Sequence, residues 1–374
     1  MIPSSGVGDA KIFYVTKSQD EIPRHVDALL EAALAQRASD IHIEPAAQGY
    51  ELRARLDGIL TVLDRVTAET GRALVGRLMV MGQLLTYRVD IPQEGRIHYE
   101  RRNAKPLDLR LAIMPTTHGL RAAIRMPAEL LHDATLEALS LPASVTTVLK
   151  EFAAGDSGML IFTGPAGAGK TTTIYGLLDQ IVRAQAGMSV ISLEDPVERD
   201  LPGVTQIEVR PFGELTYERA LRSILRQDPQ VLALGEIRDS NTAALAVQAA
   251  LSGHRLVCTL HAADPAIAIT RLLEMGIESY QVASSVFGIV SQRLLRRTAN
   301  AGYSGRVPVA EVAVCDAALR QAILQKLGAD ALREAYTKQP GFLSMHEVAA
   351  QLVESGVTDA AEVERVLGTQ SPRL

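Results

Sequence analysis

Gly164-Pro165-Ala166-Gly167-Ala168-Gly169-Lys170-Thr171 carries the spacing G-x-x-x-x-G-K-[ST] of a phosphate-binding loop. The apolar run Met159-Leu160-Ile161-Phe162 before it reads as a buried strand, and Thr172 to Leu178 after it as the start of a helix. In that setting the residue types have defined uses. Glycines let the backbone turn its N–H groups inward around a β-phosphate, and the helix N-terminus adds partial positive charge. Lys170 reaches the β- and γ-phosphates, and the Thr171 hydroxyl is a ligand for Mg2+. The loop therefore predicts a nucleoside triphosphate; a Gly-rich turn with no ligand is the competing reading.

Three further apolar runs, Ser189 to Leu193, Val231 to Leu234 and Leu256 to Leu260, alternate with helical stretches. That alternation predicts a mostly parallel sheet covered by helices, whose ligands sit at the carboxyl ends of the strands. Polar residues follow each run. Glu194-Asp195-Pro196 closes the first, Gly235-Glu236 the second and His261 the third, so all three ends are expected to face the phosphates. One carboxylate near a γ-phosphate can orient or deprotonate the attacking water, a second can hold Mg2+ through its water shell, and a histidine can sense the γ-phosphate. The competing readings are helix caps for Glu194 and Glu236 and a hydrogen-bonded core histidine for His261. Asp195 before Pro196 also suits an ordinary turn.

Ahead of this block, residues from about Asp20 to Met126 mix two kinds of pattern. A helical segment (Arg24 to Gln36) and a longer amphipathic helix (about Thr67 to Leu84) accompany short alternating strands at Ile41 to Ile43, Glu51 to Leu56, Leu107 to Ile113 and Arg121 to Arg125. Asp57-Gly58 has the chemistry of a tight hairpin turn. The pattern predicts an α+β domain with an antiparallel sheet over 1–126, a linker over 127–142, an α/β domain over 143–315 and a helical region over 316–374.

Composition narrows the function classes. The chain is 47% hydrophobic, 22% charged and 4% aromatic, a soluble globular balance. A net charge of -5 without any Lys/Arg block argues against stable nucleic-acid binding. The densest basic cluster, Arg293, Arg296 and Arg297, reads as one face of a helix, solvated or in an interdomain contact. Cys258 and Cys315 lack metal or disulfide spacing and read as buried thiols in a reducing compartment. Met1 to Tyr14 lacks a basic start followed by an apolar core, and no apolar run approaches the roughly 18 residues of a membrane span. A cytoplasmic protein that reaches a membrane only through partners is the expectation.

Several motifs, taken together, resemble the secretion-superfamily ATPases that power type II secretion and type IV pilus assembly. They are Ser39-Asp40-Ile41-His42-Ile43-Glu44-Pro45, the phosphate loop, Ile191 to Glu198, Leu221 to Pro229, Gly235-Glu236-Ile237-Arg238-Asp239 and Thr259-Leu260-His261. The resemblance implies an α/β fold: a RecA-like P-loop NTPase domain preceded by a PAS-like α+β domain, with a helical C-terminal region. It makes Gly164 to Thr171, with Thr172, the Walker A ATP-binding set, and puts Glu194 to Glu198 in the family's acidic box. Gly235-Glu236 ends an atypical Walker B, and His254 and His261 lie in the histidine box. Gly235 stands where Mg2+-linked Asp is usual, so Glu236 is expected to reach the ion through water. In the amino-terminal domain Arg55-Leu56-Asp57-Gly58 and Pro92-Gln93-Glu94-Gly95-Arg96 are landmarks. Arginines at the positions of Arg96 and Arg110 approach nucleotide in this family, where a guanidinium offsets developing charge; pairing with neighbouring carboxylates is the bland alternative.

By the same resemblance the protein works as a homo-hexamer, peripheral at the inner face of the cytoplasmic membrane and docked on an inner-membrane platform protein. Pilus assembly or type II secretion is the implied task, with pilus retraction and a RecA-like nucleic-acid translocase as alternatives. Two departures stand out. Thr298-Ala299-Asn300-Ala301 fills the gap where secretion members carry a four-cysteine zinc module, so no structural zinc is expected. The chain begins about where the PAS-like module should, so the family's extra amino-terminal domain is expected to be missing and the docking mode is left open.

Overall fold

A computed structural model describes residues 21–101, 105–127, 135–185, 187–209, 214–300 and 302–369. They divide into two compact units, within 1–132 and 133–374. Residues 1–20, and residues 128–134 of the expected linker, lie outside the described residues.

In the first unit alternating polarity makes a sheet. Strands β1 (Asp40–Ala46), β2 (Gly49–Leu56), β3 (Ile59–Val66), β4 (Gln93–Tyr99), β5 (Leu107–Thr116) and β6 (Gly119–Arg125) form a six-stranded sheet in the order β3-β2-β1-β6-β5-β4. Every pairing in it is antiparallel. Strand β5 shows why: Leu107, Leu109, Leu111 and Ile113 are buried while Asp108, Arg110 and Ala112 are exposed. The inward residues pack with Leu30 and Ala33 of helix α1 (Glu21–Ala35) and Leu74 and Leu78 of helix α2 (Ala68–Met81). Asp57 and Gly58 make the expected tight turn between β2 and β3, both at positive φ (47° and 87°). Strands β3 and β4 are additions to the sequence reading.

In the second unit helix α3 (Ala143–Ala154) precedes strand β7 (Gly158–Thr163), and the phosphate loop leads from β7 into helix α4 (Lys170–Ala184). Strands β8 (Val190–Glu194), β9 (Thr205–Glu208), β10 (Val231–Leu234), β11 (Arg255–Leu260), β12 (Val286–Ala299) and β13 (Gly302–Val314) complete a seven-stranded sheet, β13-β12-β7-β11-β10-β8-β9. Only β13 runs antiparallel to its neighbour. Successive residues of β7 serve opposite faces. Met159 and Ile161 pack with helices α5 (Tyr217–Ile224), α6 (Ser240–Leu251), α7 (Pro265–Glu274) and α8 (Ser279–Ser285), while Leu160 and Phe162 pack with α3 and α4. Both cysteines are buried.

The arginine cluster is a correction. Arg293, Arg296 and Arg297 lie on β12, not on a helix, because β12 is zipped to β7 on one side and β13 on the other. Nor is Arg296 a solvated charge. The carboxy-terminal helices α9 (Ala317–Leu324), α10 (Ala329–Thr337), α11 (Met345–Glu354) and α12 (Ala360–Leu367) pack back on the sheet, and α12 brings Glu362 to Arg296 fully buried. Glu362 accepts from the Arg296 backbone N–H at 3.0 Å, from Arg296 Nη2 at 2.7 Å and from Arg365 Nη2 at 2.6 Å. Burial opposes ionisation there, but hydrogen bonds from Arg365 and Arg296 outweigh it and hold the carboxyl at about 2. Removing Glu362 deprives Arg296 and Arg365 of their acceptor, but both reach solvent, so Glu362→Ala is expected to cost about 1–3 kcal/mol in urea melts at pH 7. Because the folded-state value lies below the ordinary 4.5, the contribution is present above pH ~4.5 and fades as pH falls toward 2. Wild type should therefore lose more stability than the variant between pH 7 and pH 3; parallel losses would contradict the pairing.

Candidate nucleotide site

The loop is shaped by what packs beneath it. Gly164, Gly167 and Gly169 all have positive φ (139°, 75° and 84°). A Cβ on Gly164 would lie 2.4 Å from the Gln292 carbonyl oxygen, and one on Gly169 2.8 Å from Gln292 Nε2. Gln292, buried on β12, donates from Nε2 to the Ala168 carbonyl at 2.8 Å and accepts at Oε1 from the Thr173 hydroxyl at 3.0 Å. Pro165, Ala166 and Gly167 stay exposed at the crest, and Ala168 is buried. Lys170 Nζ donates to the Gly164 and Pro165 carbonyls at 2.8 and 2.9 Å, so the ammonium is held against the loop it must serve. Thr171 and Thr172 follow in the first turn of α4, half-buried.

The end of β10 and the middle of β12 bear on that lysine. Burial pushes the Lys170 ammonium below its ordinary value, the Glu236 charge works against this, and Arg293 adds to it, so all three groups share one electrostatic environment. Glu236 Oε2 accepts from Arg238 Nε at 2.8 Å, and its Oε1 lies 2.9 Å from His261 Nε2. Arg238 also reaches Asp195 Oδ2 at 3.5 Å, tying together the ends of β8 and β10. Gly235 has a packing reason: a Cβ there would lie 2.7 Å from the Tyr217 hydroxyl and 3.3 Å from the Leu193 carbonyl oxygen. An Asp there would have to displace the Tyr217 hydroxyl and crowd the neighbouring strand.

Glu194 is placed differently. Its carboxylate is buried, 6% exposed, in a bed of neutral donors. Tyr175 Oη donates to Oε2, while Ser192 Oγ and Gln206 Nε2 donate to Oε1 at 2.6 and 3.1 Å. Of the two histidines, only His261 comes to the phosphate end. His254 precedes β11 at the amino end of the strand, where its Nδ1 lies 2.9 Å from the Ala249 carbonyl oxygen.

In the first unit Arg96 and Arg110 are directly opposed across β4 and β5, both exposed. The register extends the row: Arg110 faces Arg125, Arg125 faces Asp40, and Asp40 faces Arg55. Opposed residues share a face of the sheet, so four arginines and one carboxylate lie side by side. Asp40 engages Arg55 at 3.4 Å and Arg125 at 3.2 Å. Sequence reasoning missed Gln292, Arg293, Arg238 and Tyr175 as neighbours of the loop and strand ends, and Arg125 as a member of the first unit's arginine row; only Arg238, inside Gly235 to Asp239, lay within a recognised motif.

The profile of the type II/IV secretion system protein family matches residues 15–365. The chain belongs to that family. Type II secretion system protein HxcR of Pseudomonas aeruginosa is 38% identical over 371 residues, covering 93% of this chain and 78% of that protein. The type II secretion system ATPase E of Vibrio cholerae is 32% identical over 389 residues, covering 94% and 76%. The type IV pilus assembly ATPase PilB of Thermus thermophilus is 32% identical over 404 residues, 95% of this chain but 45% of that protein. Among solved structures, Legionella pneumophila ATPase DotB superposes with a TM-score of 0.73 at 21% identity, covering 92% of this chain and 95% of that one, which shows the α/β fold. The pilus retraction motor PilT with bound ADP superposes at 0.64 with 26% identity, covering 92% and 96%. The family is one of ATP-hydrolysing enzymes. Among the described residues no helix is long and apolar enough to cross a membrane.

Proposed function

We propose that the protein is a hexameric cytoplasmic ATPase that converts ATP hydrolysis into domain motion and so drives assembly of type IV pilus or type II secretion pseudopilus subunits. The observation that carries this reading is the phosphate-loop geometry, with Gly164 and Gly169 packed against Gln292 and Lys170 held against the loop, beside Glu236, which in turn pairs with His261. Gly164 to Thr172 hold the phosphates, with Lys170 countering charge on the β- and γ-groups. The Thr171 hydroxyl and, through water, Glu236 would hold Mg2+, which would supply positive charge against the phosphates. Glu194 takes a proton as water oxygen bonds to the γ-phosphorus and the bond to the ADP oxygen breaks. Neutral donors fill three of its roughly four lone-pair sites among the described residues, which leaves it one to receive that proton. Arg96 and Arg110 offset charge on the transferred phosphoryl group.

The proposed domains are a PAS-like module over 1–126, a linker over 127–142, a RecA-like domain over 143–315 and a helical region over 316–374. A hinge motion accompanies turnover in this reading, and an inner-membrane platform protein holds the ring peripherally at the membrane. Pilus retraction is the second reading, favoured by the likeness to PilT; the greater identity to type II secretion relatives favours assembly. Specific ATPase activity is expected to rise with protein concentration across the range where mass analysis finds hexamers forming, and single-stranded DNA should leave it unchanged. Arg96→Ala and Arg110→Ala should lower turnover more than ATP affinity. Flat specific activity from monomer to hexamer would overturn assembly-dependent catalysis, and stimulation by DNA would support a translocase.

A further inference from the structure

Tyr175 stands on α4 four residues after Thr171, about 6 Å along the helix from the phosphate loop. Its ring is buried, and the Arg199 guanidinium lies over it, 5.4 Å from the ring centre. The hydroxyl serves two partners at once: it donates to Glu194 Oε2 and accepts from the Glu198 backbone N–H at 3.2 Å. Burial first, then the bond to the Glu194 carboxylate, hold the phenol well above its ordinary value, so it remains a protonated donor. The other donors to Glu194 come from β8 and β9, so Tyr175 is the donor carried by the phosphate-loop helix. The Tyr175 hydroxyl thus links α4 to both the Glu194 carboxylate and the Glu198 backbone.

We propose that Tyr175 is a positioning residue that couples the phosphate loop to the orientation of the Glu194 carboxylate. This rests on the assignment of Glu194 to the attacking water. Orientation errors of an ångström cost rate, not binding, so Tyr175→Phe should lower kcat about tenfold to hundredfold while ATP affinity stays within about twofold.

The test is a double-mutant cycle on the full-length protein, measuring kcat and ATP affinity for wild type, Tyr175→Phe, Glu194→Gln and the double variant. The expected result is that Tyr175→Phe is slow alone yet adds no further loss in the Glu194→Gln background. Equal losses in both backgrounds would reveal general loosening of the fold and overturn the proposal. Wild-type kcat in Tyr175→Phe beside a slow Glu194→Gln would overturn it too, leaving the role of Glu194 intact. A fast Glu194→Gln would instead remove the premise, and the proposal with it. Should the phenylalanine variant bind ATP more weakly, kcat is read at saturating ATP, and a value equal to that of wild type would still overturn the coupling.

Discussion

Lys170→Ala is expected to weaken nucleotide binding and to cut ATP turnover by about two to four powers of ten. Lys170 is held against the loop by the Gly164 and Pro165 carbonyls, beside Glu236, and is the cation that α4 itself supplies in its first turn. Alanine removes two hydrogen bonds to loop carbonyls but leaves the glycine turns, the Gln292 bond to Ala168 and the helix N-terminus in place. The loss should therefore fall on phosphate charge compensation in both ground state and transition state, and not on folding. Titration of a fluorescent ATP analogue beside a melting curve separates the two. Undiminished affinity in a folded Lys170→Ala protein would remove the loop from the account.

Glu194→Gln should behave in the opposite way. Glutamine keeps the volume and one acceptor oxygen for the Tyr175, Ser192 and Gln206 donors but cannot take a proton from water. ATP binding is expected to survive while hydrolysis slows by about two to four powers of ten. Glu236→Gln should impair both steps. Its charge bears on Lys170 and on His261 and Arg238, so neutralising it alters the ground state as well as the reaction.

The phosphate loop was legible because its glycines, lysine and flanking apolar run form one contiguous local pattern. Strands β7, β8, β10 and β11 around it were legible for the same reason, and so were β1, β2, β5 and β6 of the first unit, whereas β3, β4 and β9 were not read. What escaped depends on partners distant in sequence. Strand β12 carries Arg293-Leu294-Leu295-Arg296-Arg297, which has helical spacing, yet Thr163 and Ser291, 128 positions apart, meet through their hydroxyls when β12 lies against β7. Gln292 became part of the site only through that pairing. The arginine row of the first unit needed the register of five strands before Arg125 and Arg55 joined Arg96 and Arg110. His254 and His261 share a motif, but the intervening strand carries them to opposite edges of the sheet. Gly235 looked like a missing ligand, and the reason for it emerged only with the Tyr217 hydroxyl packed against it.

The most direct test of the central claim, that this loop and the acidic strand ends hydrolyse ATP, is a rapid-quench comparison. Full-length wild type and Glu194→Gln are each saturated with radiolabelled ATP and Mg2+, and phosphate formation is followed on the enzyme. The account predicts that both bind ATP to the same extent, that wild type converts it, and that Glu194→Gln holds it unreacted over the same interval. Equal rates of phosphate formation in the two proteins would contradict it.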